Sequence, residues 1–343
     1  MKFGLVFGAQ SYEHEVSIIS AIAVKNALKG WDLEFVFCDK NRKFYRIEDK
    51  NMRAAYFKQG GYAKAKELSI GAGGFFESGM FSKSMLEVGT YINLIHGCDG
   101  EDGKMAALFE FFGIPYIGPR IEASVLSYNK ILTKHLAAIA NVKTLPYEIV
   151  NRTSLPNFNF PIIVKPAHLG SSIGISIAKN ESEFSYALDQ AFELDDSAIV
   201  EPYWENVKEF NLAGAKIDGK IVFSNIEEPK KEGYLNFERK YLDFSRSGAI
   251  EPARPGALLE SKMKDAFTRL YNAGSFDGAL IRCDFFEKEG EIYLNEINPN
   301  PGSLANYLFD DFSEVLAALA SSLPPMRQIP VSYELITKIT ANK

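Results

Sequence analysis

Residues 279–302 read ALIRCDFFEKEGEIYLNEINPNPG, two apolar runs joined by a short charged turn. Alternating patterning makes each run a strand and the pair a hairpin. Along the first strand Ile281, Cys283 and Phe285 point one way, while Arg282 and Asp284 point the other. Along the second, Glu296 and Asn298 share a face. With the turn centred near Gly290, Asp284 lies opposite Glu296 and Arg282 lies opposite Asn298. Directly opposed carboxylates have Cβ atoms about 5 Å apart and repel each other. Two readings are open: the acids are solvated on an exposed sheet face, or they hold a cation. The flanking Ala279-Leu280-Ile281 and Ile292-Tyr293-Leu294 have the composition of central strands, which favours the cation. Two acids and an Asn carbonyl make an oxygen-rich site suited to Mg²⁺, which keeps the rest of its shell for phosphate oxygens and water.

A second stretch, PIIVKPAHLGSSIGISIA at 161–178, has the same outline: an apolar run ending on Lys165, a Gly/Ser turn, and another apolar run. Gly and Ser are ordinary turn residues, so a plain surface hairpin accounts for the pattern. A phosphate flap accounts for it too. Lys165 ends a strand that reads as buried, and a buried ammonium is costly unless an anion meets it. Gly170 and Gly174 bracket Ser171 and Ser172, leaving backbone N–H groups to converge on an anion.

The rest of the chain supplies the frame. Its 343 residues are enough for two or three domains, and 46% hydrophobic with 24% charged residues is the balance of a globular protein. A net charge of −6 without a basic block argues against a nucleic-acid or anionic-membrane surface. No stretch is long enough to span a bilayer, and the apolar run at the N-terminus breaks at Gly8, too short for a secretory signal. Three scattered cysteines offer neither a disulfide framework nor metal-ligand spacing, as in a reducing cytoplasm.

Strands at 3–7, 33–37 and 91–95 alternate with helices, one carrying Ile18, Ile19, Ile22 and Leu28 on an apolar face and one at 105–112. That order predicts a parallel, doubly wound sheet whose ligand loops are GAQSYEHE and HGCDGEDG. A helix is expected over 121–140. A small α+β unit follows, with strands at 161–165, 173–178 and 198–201 and a helix at 181–192 capped by Asn180 and Glu183. Next come a hairpin turning at Asp218-Gly219, a lid at 229–256, a helix at 257–273 and the hairpin quoted first.

A Lys and a Gly/Ser flap on one small sheet, with an Asp/Glu/Asn hairpin on another, can hold a triphosphate and its Mg²⁺ from two sides. No GxxxxGK[ST] loop is present, and the dinucleotide glycine pattern is missing after the first strand. Here the chain resembles the D-alanine–D-alanine ligases of the ATP-grasp superfamily. The resemblance is carried by YEHEVS at 12–17, LIHGCDGEDG at 94–103, YNK at 128–130, VKPAHLGSSIG at 164–174, ERKY at 238–241, RCD at 282–284 and NEINPNPG at 295–302. It implies a three-domain ATP-grasp architecture. An N-terminal parallel α/β domain at 1–120 is followed by a central small subdomain at 121–209 and a C-terminal α+β subdomain at 210–343.

The activity it implies is ATP-dependent joining of two D-alanines for peptidoglycan, in the cytoplasm, through an acyl phosphate. By resemblance Lys130, Lys165 and Lys240 contact ATP phosphates, and the flap with Ser171 and Ser172 closes over them. Glu201 and Glu209 match positions for adenine and ribose, with Tyr203 and Trp204 as apolar walls. Asp284, Glu296 and Asn298 would ligate two Mg²⁺ ions, for which Mn²⁺ would substitute. Glu13 matches the residue that binds the ammonium of the first D-alanine, although an acid at a helix start also suits a capping role. Ser171 and Tyr241 would join it in a network closing the lid, and His96 would lie beside the first substrate's carboxylate. Arg282 and the Gly302 N–H are the implied oxyanion donors.

Three positions depart from the pattern. Pro202 stands where many relatives have Lys, Tyr307 stands where a Ser usually meets the second substrate's carboxylate, and NPNPG replaces a small-residue turn. Tyr241 is the lid residue of dipeptide-forming members, which favours an amine as second substrate. The implied partners are ATP, D-alanine and a second copy of the chain as a homodimer. The alternatives are an ATP-grasp ligase with another amino or hydroxy acid acceptor, and a non-catalytic ATP-binding sensor; the intact Arg282, Asp284, Glu296 and Asn298 argue against the sensor.

Overall fold

The computed structural model describes residues 2–79, 83–229, 252–326 and 329–341. Three sheets organise them. The first has eight strands: β1 (Phe3–Gly8), β2 (Leu33–Cys38), β3 (Phe44–Ile47), β4 (Lys66–Gly71), β5 (Gly74–Ser78), β6 (Lys83–Met85), β7 (Thr90–Asn93) and β8 (Tyr116–Ile117), in the order β6-β5-β4-β3-β2-β1-β7-β8. From β2 to β8 the pairing is parallel, as the alternation of strands and helices predicted. β1 is buried along its whole length, which is why FGLVFG reads as an unbroken apolar run.

The other half, β3 to β6, is an antiparallel meander that the doubly wound expectation did not include. A tight turn after β2 decides this. Asp39 Oδ1 accepts the N–H groups of Asn41 (2.8 Å) and Lys43 (2.9 Å), which reverses the chain in four residues. A parallel return needs a crossover of a dozen residues or more.

Helix 14–27 turns Ser17, Ser20, Ala21 and Val24 inward along with Ile18. Ile19 and Ile22, expected on the buried face, are half-buried at its margin. The single helix expected over 121–140 is two, Ile121–Tyr128 and Lys130–Ile139. Asn129 breaks it: its side-chain oxygen accepts from Ile131 N (2.8 Å) and Leu132 N (3.3 Å), capping the second helix. Lys130 N is thereby released to the Ala167 carbonyl at 2.9 Å, tying the helix start to the flap.

The second sheet has four antiparallel strands, β9 (Glu148–Val150), β10 (Ile162–Pro166), β11 (Ser176–Ala178) and β12 (Ala198–Pro202), in the order β11-β10-β12-β9. The strand expected from 173 begins only at Ser176, because 170–175 is taken up by the turn. Asn180 caps helix 181–194 as expected, its Oδ1 accepting Glu183 N at 3.0 Å.

The third sheet, also antiparallel, runs β14-β13-β15-β16, with β13 (Lys208–Ile217), β14 (Lys220–Glu227), β15 (Leu280–Lys288) and β16 (Glu291–Asn298). β15 is interior as expected, while β16 ends the hydrogen-bonded order. Its outer edge is closed by the Lys143 carbonyl, which accepts Leu294 N at 2.7 Å. Helix 257–273 covers the sheet with Met263, Phe267 and Leu270. Ala123, Leu136 and Ala137 of the 121–139 helices join that same core. The turn 302–308 and helix 312–321 pack instead into the core of the first sheet, through Leu304, Leu308, Phe312 and Leu316. Of the expected lid, residues 230–251 lie outside the described residues. Among the described residues no helix is long and apolar enough to cross a membrane.

Candidate active site

Arg282 and Asp284 stand two apart on β15, so they share a face. The guanidinium grips the carboxylate at both ends, Nε to Oδ1 at 2.6 Å and the second nitrogen to Oδ2 at 2.8 Å. Asn298 Nδ2 donates to the same Oδ2 at 3.1 Å, which leaves the amide oxygen of Asn298 for another partner. Glu296 faces Asp284 across the ladder, and Asn298 faces Arg282. The pairing has the expected register, but it is reached through an irregularity. The turn at Glu289-Gly290, both with positive φ, pairs Lys288 with Glu291 and Phe285 with Leu294. The register then shifts by one, Asn295 is the extra residue, and Asp284 meets Glu296. Burial pushes the Asp284 carboxyl above its usual range, against the pull of Arg282.

Glu13 ends the loop after β1 and occupies the position preceding helix 14–27. Its side chain makes no capping bond. The buried carboxylate instead accepts the Ser171 hydroxyl of the flap. A Cβ at Gly97 would fall 2.6 Å from Glu13 Oε2, and one at Gly170 would fall 3.0 Å from it. Two glycines, one from the loop after β7 and one from the flap, therefore make room for this acid. Burial pushes the Glu13 carboxyl up, and the charge of Glu101 adds to that.

His96 is buried and fully engaged rather than a bystander in its loop. Its backbone N–H donates to Ser17 Oγ at 2.9 Å, and its Nε2 lies 2.7 Å from Ser20 Oγ. Nδ1 lies 3.4 Å from Glu101 Oε1. Burial depresses the imidazole and pushes the Glu101 carboxyl up to about 8. Ser20 Oγ also accepts Ser303 N at 2.9 Å, so one hydroxyl joins the first helix, His96 and the 302–308 turn. Ser17, Ser20 and Glu101 were not singled out from the sequence; serines at i and i+3 within an otherwise apolar helix face were the available signal. Nearby, Cys98, Asp99 and Asp102 cluster, but Arg42 grips Asp99 with two bonds and Lys104 pairs with Asp102, so the acids hold the loop in place.

On the side expected to meet phosphate, Lys130 Nζ donates to the Leu169 carbonyl of the flap, and burial lowers its pKa. Lys165 Nζ lies 2.6 Å from Glu201 Oε2 and donates to Asn295 Oδ1 at 3.1 Å. Asn295, the extra residue of β16, thus ties the second sheet to the third. Glu201 is 1% exposed, and its other oxygen pairs with Lys134, a residue the sequence reading passed over. Ser171 and Ser172 both have positive φ, as does Gly174, and they shape the turn. Ser172 O accepts Ile175 N at 3.3 Å. Farther out, Tyr203 N donates to the Pro161 carbonyl at 3.0 Å. Trp204 packs edge-on against Tyr293 with ring centroids 5.0 Å apart, and Lys288 Nζ sits 4.3 Å over its ring. Glu209, on β13 opposite Phe286, is close enough for its charge to raise Asp284.

Gly302 opens the 302–308 turn, in which Ser303, Leu304 and Ala305 all have left-handed φ. The Tyr307 hydroxyl lies 3.3 Å from Glu227 Oε2, which also accepts from Asn211 Nδ2 at 2.8 Å. Lys240 and Tyr241 lie outside the described residues.

Two sequence models match in tandem: "D-ala D-ala ligase N-terminus" over residues 2–119 and "D-ala D-ala ligase C-terminus" over residues 136–315. The D-alanine–D-alanine ligase of Campylobacter concisus is 56% identical over 343 residues, covering 100% of this chain and 99% of that one. The enzyme of the same name from Wolinella succinogenes is 51% identical with the same coverage. The crystal structure of the Helicobacter pylori D-alanine–D-alanine ligase superposes with a TM-score of 0.85 at 48% identity, covering 96% of this chain and 100% of that one. The VanG D-Ala:D-Ser ligase of Enterococcus faecalis, at 23% identity and a TM-score of 0.75 over 94% of this chain and 97% of that one, shares the fold. Likeness that spans both ends and the whole length leaves one conclusion: the chain belongs to the D-alanine–D-alanine ligase family, with the ATP-grasp fold.

Proposed function

We propose that this site carries out the family's reaction, joining two D-alanines at the expense of ATP to make the dipeptide of peptidoglycan, and that the residues gathered here divide the work as follows. ATP lies between the second and third sheets. Lys130 and Lys165 meet its phosphates, the Ser171–Ser172 turn covers them, and Lys240 joins from the lid. Glu201, Glu209, Tyr203 and Trp204 border the nucleoside. Glu13, with Ser171 and Tyr241, holds the ammonium of the first D-alanine, and His96 stands by its carboxylate. The physical difficulty is to bring that carboxylate into line with an anionic triphosphate. Cationic side chains offset the repulsion and rigid placement supplies much of the rest. When the second amine attacks the acyl phosphate, Arg282 and the Gly302 N–H stabilise the negative charge that develops on the carbonyl oxygen. Tyr307, tethered to Glu227, borders the second substrate.

Asp284, Glu296 and Asn298 fit Mg²⁺. The donor set is all oxygen, and Asn298 spends its Nδ2 on Asp284, which leaves its carbonyl oxygen for a cation. Bound there, two ions would screen the phosphate charge, and Mn²⁺ would serve in their place. The domain division at 1–120, 121–209 and 210–343, the cytoplasmic setting and the homodimer belong to the same proposal. The free thiols Cys38, Cys98 and Cys283 are in keeping with a reducing compartment, and sedimentation velocity tests the dimer.

One observation carries the reading: a buried arginine clamped to a prospective metal-binding acid, close enough to His96 for its charge to act on the imidazole, as does that of Glu13, which holds Ser171. Phosphate release from ATP is the test. It should require D-alanine, fail with L-alanine, yield dipeptide, and collapse in Arg282→Ala. Release that ignores D-alanine would overturn the assignment.

A further inference from the structure

Lys134 is a buried ammonium with no part in the chemistry above. It sits on helix 130–139, one turn beyond Lys130, with its side chain 3% exposed. Among the described residues two groups face it besides the Lys165 ammonium that repels it: the Glu201 carboxylate, with which it is ion-paired, and the ring of Tyr147, 5.8 Å from Nζ to the centroid. Glu201 is shared. One oxygen meets Lys134, and the other lies 2.6 Å from Lys165 Nζ. Burial pushes the Glu201 carboxyl up, and the Lys165 and Lys134 ammonium groups more than reverse this, so it stays below the usual carboxylate range.

The arrangement has an electrostatic consequence. Lys165 alone with Glu201 would be a neutral pair, with nothing left to attract an anion. With Lys134 present, two ammonium groups share one carboxylate, and the cluster keeps one net positive charge. An ammonium has three donors. Glu201 and Asn295 engage two of those on Lys165, which leaves a third for an incoming oxygen. Burial on the far side of Glu201 keeps Lys134 itself from competing for that oxygen.

We propose that Lys134 is a positioning residue for nucleotide binding: by neutralising Glu201 from behind, it lets the same carboxylate hold Lys165 in place while Lys165 keeps its charge for the nucleotide phosphates. The proposal rests on the reading that Lys165 meets those phosphates.

Calorimetric titration of the full-length protein with Mg²⁺-ATP, Mg²⁺-tripolyphosphate and adenosine tests it, because the last two report separately on the phosphate and base subsites. Lys134→Met should weaken ATP and tripolyphosphate alike, by about tenfold, and leave adenosine unchanged. Lys134→Met combined with Glu201→Gln removes the orphaned carboxylate together with its counter-charge. It should bring tripolyphosphate back to within about twofold of the parent. A purely structural Lys134 would not give that recovery. If the single variant does not fold, the double variant carries the test, with near-parental tripolyphosphate affinity expected. Unchanged tripolyphosphate affinity in Lys134→Met, equal loss of adenosine, or no recovery in the double variant would each overturn the proposal. Lys165→Met separates the two levels of the argument. If it leaves tripolyphosphate binding intact, the phosphate reading of Lys165 has failed, whereas a loss there with none in Lys134→Met sinks the role of Lys134 alone.

Discussion

Asp284 and Glu296 face each other across β15 and β16 because Asn295 is an extra residue in the ladder. A regular ladder from the Glu289-Gly290 turn would pair Asp284 with Asn295. It would also put Glu296 opposite Cys283, on the face that packs into the core. The bulge exchanges those fates: Ile297 pairs with Cys283 and is buried, while Glu296 and Asn298 turn to the site.

The two acids should therefore respond differently to neutralisation. Asp284→Asn strands the buried Arg282 guanidinium, which should cost about 3 kcal/mol of stability as well as activity. Glu296→Gln leaves the Arg282–Asp284 pair in place, and should lower D-alanine-dependent phosphate release by about 10²-fold or more with a much smaller change in melting temperature. Chelation of Mg²⁺ should abolish turnover in the parent protein. Denaturant melts of both variants beside a phosphate assay decide this, and equal destabilisation by the two substitutions would contradict the asymmetry.

Arg282 supplies a planar, two-pronged contact that a lysine cannot copy. Arg282→Lys is expected to lower kcat by about 10²–10³-fold while the KM for ATP moves little. Steady-state kinetics with each substrate varied in turn checks it. A change confined to the ATP KM would place Arg282 in nucleotide binding instead.

Gly97 tests the close packing around Glu13. Its φ of +69° strains any side chain, and a Cβ there would also fall 2.6 Å from both Glu13 Oε2 and Ser11 Oγ. Gly219, at φ +79°, has nothing among the described residues within 4 Å of a Cβ placed there. Gly219→Ala should thus cost about 1 kcal/mol of stability with activity intact. Gly97→Ala should raise the KM for D-alanine about tenfold or more. Loss of activity in both would mean that backbone strain alone explains the first.

Acid should weaken the first sheet at Glu34. Burial alone would raise that carboxyl, but hydrogen bonds from Arg46 and Lys2 bring it below its ordinary value. A depressed carboxylate contributes stability at pH values above its unfolded pKa, and the contribution is lost as pH falls through the folded pKa. Glu34→Gln should therefore be less stable than the parent at pH 7, by about 0.5–1 kcal/mol for a partly solvated pair. The gap should hold down to about pH 4.5, the ordinary glutamate range, and close only as pH falls through the lower folded value. Denaturant melts from pH 7 into the acid range measure it, and a gap that does not narrow as the carboxylate is protonated would rule the ion pairs out as its source.

The periodic elements were legible because burial imposes period on a chain locally. FGLVF, the 257–273 helix, the Asp218-Gly219 turn and the facing of Asp284 with Glu296 can each be read within a few residues. The prospective ligands were legible too, since acids alternating along apolar strands have few other uses. What the sequence could not disclose were relationships between segments far apart in the chain. Asn295 reaches Lys165 across 130 positions and Ser303 reaches Ser20 across 283, whereas the Ser171–Glu13 contact, across 158, was expected through the family resemblance alone. The meander of β3–β6 and the break at Asn129 escaped for a related reason: each hangs on a single side-chain oxygen turning back on the backbone, which leaves no periodic trace. Lys134 makes the contrast sharpest. On a helix of mixed composition it reads as one more solvated lysine. Only the tertiary structure, which packs that helix into the core of the third sheet, buries it beside Glu201 of β12 and pairs its charge with the carboxylate.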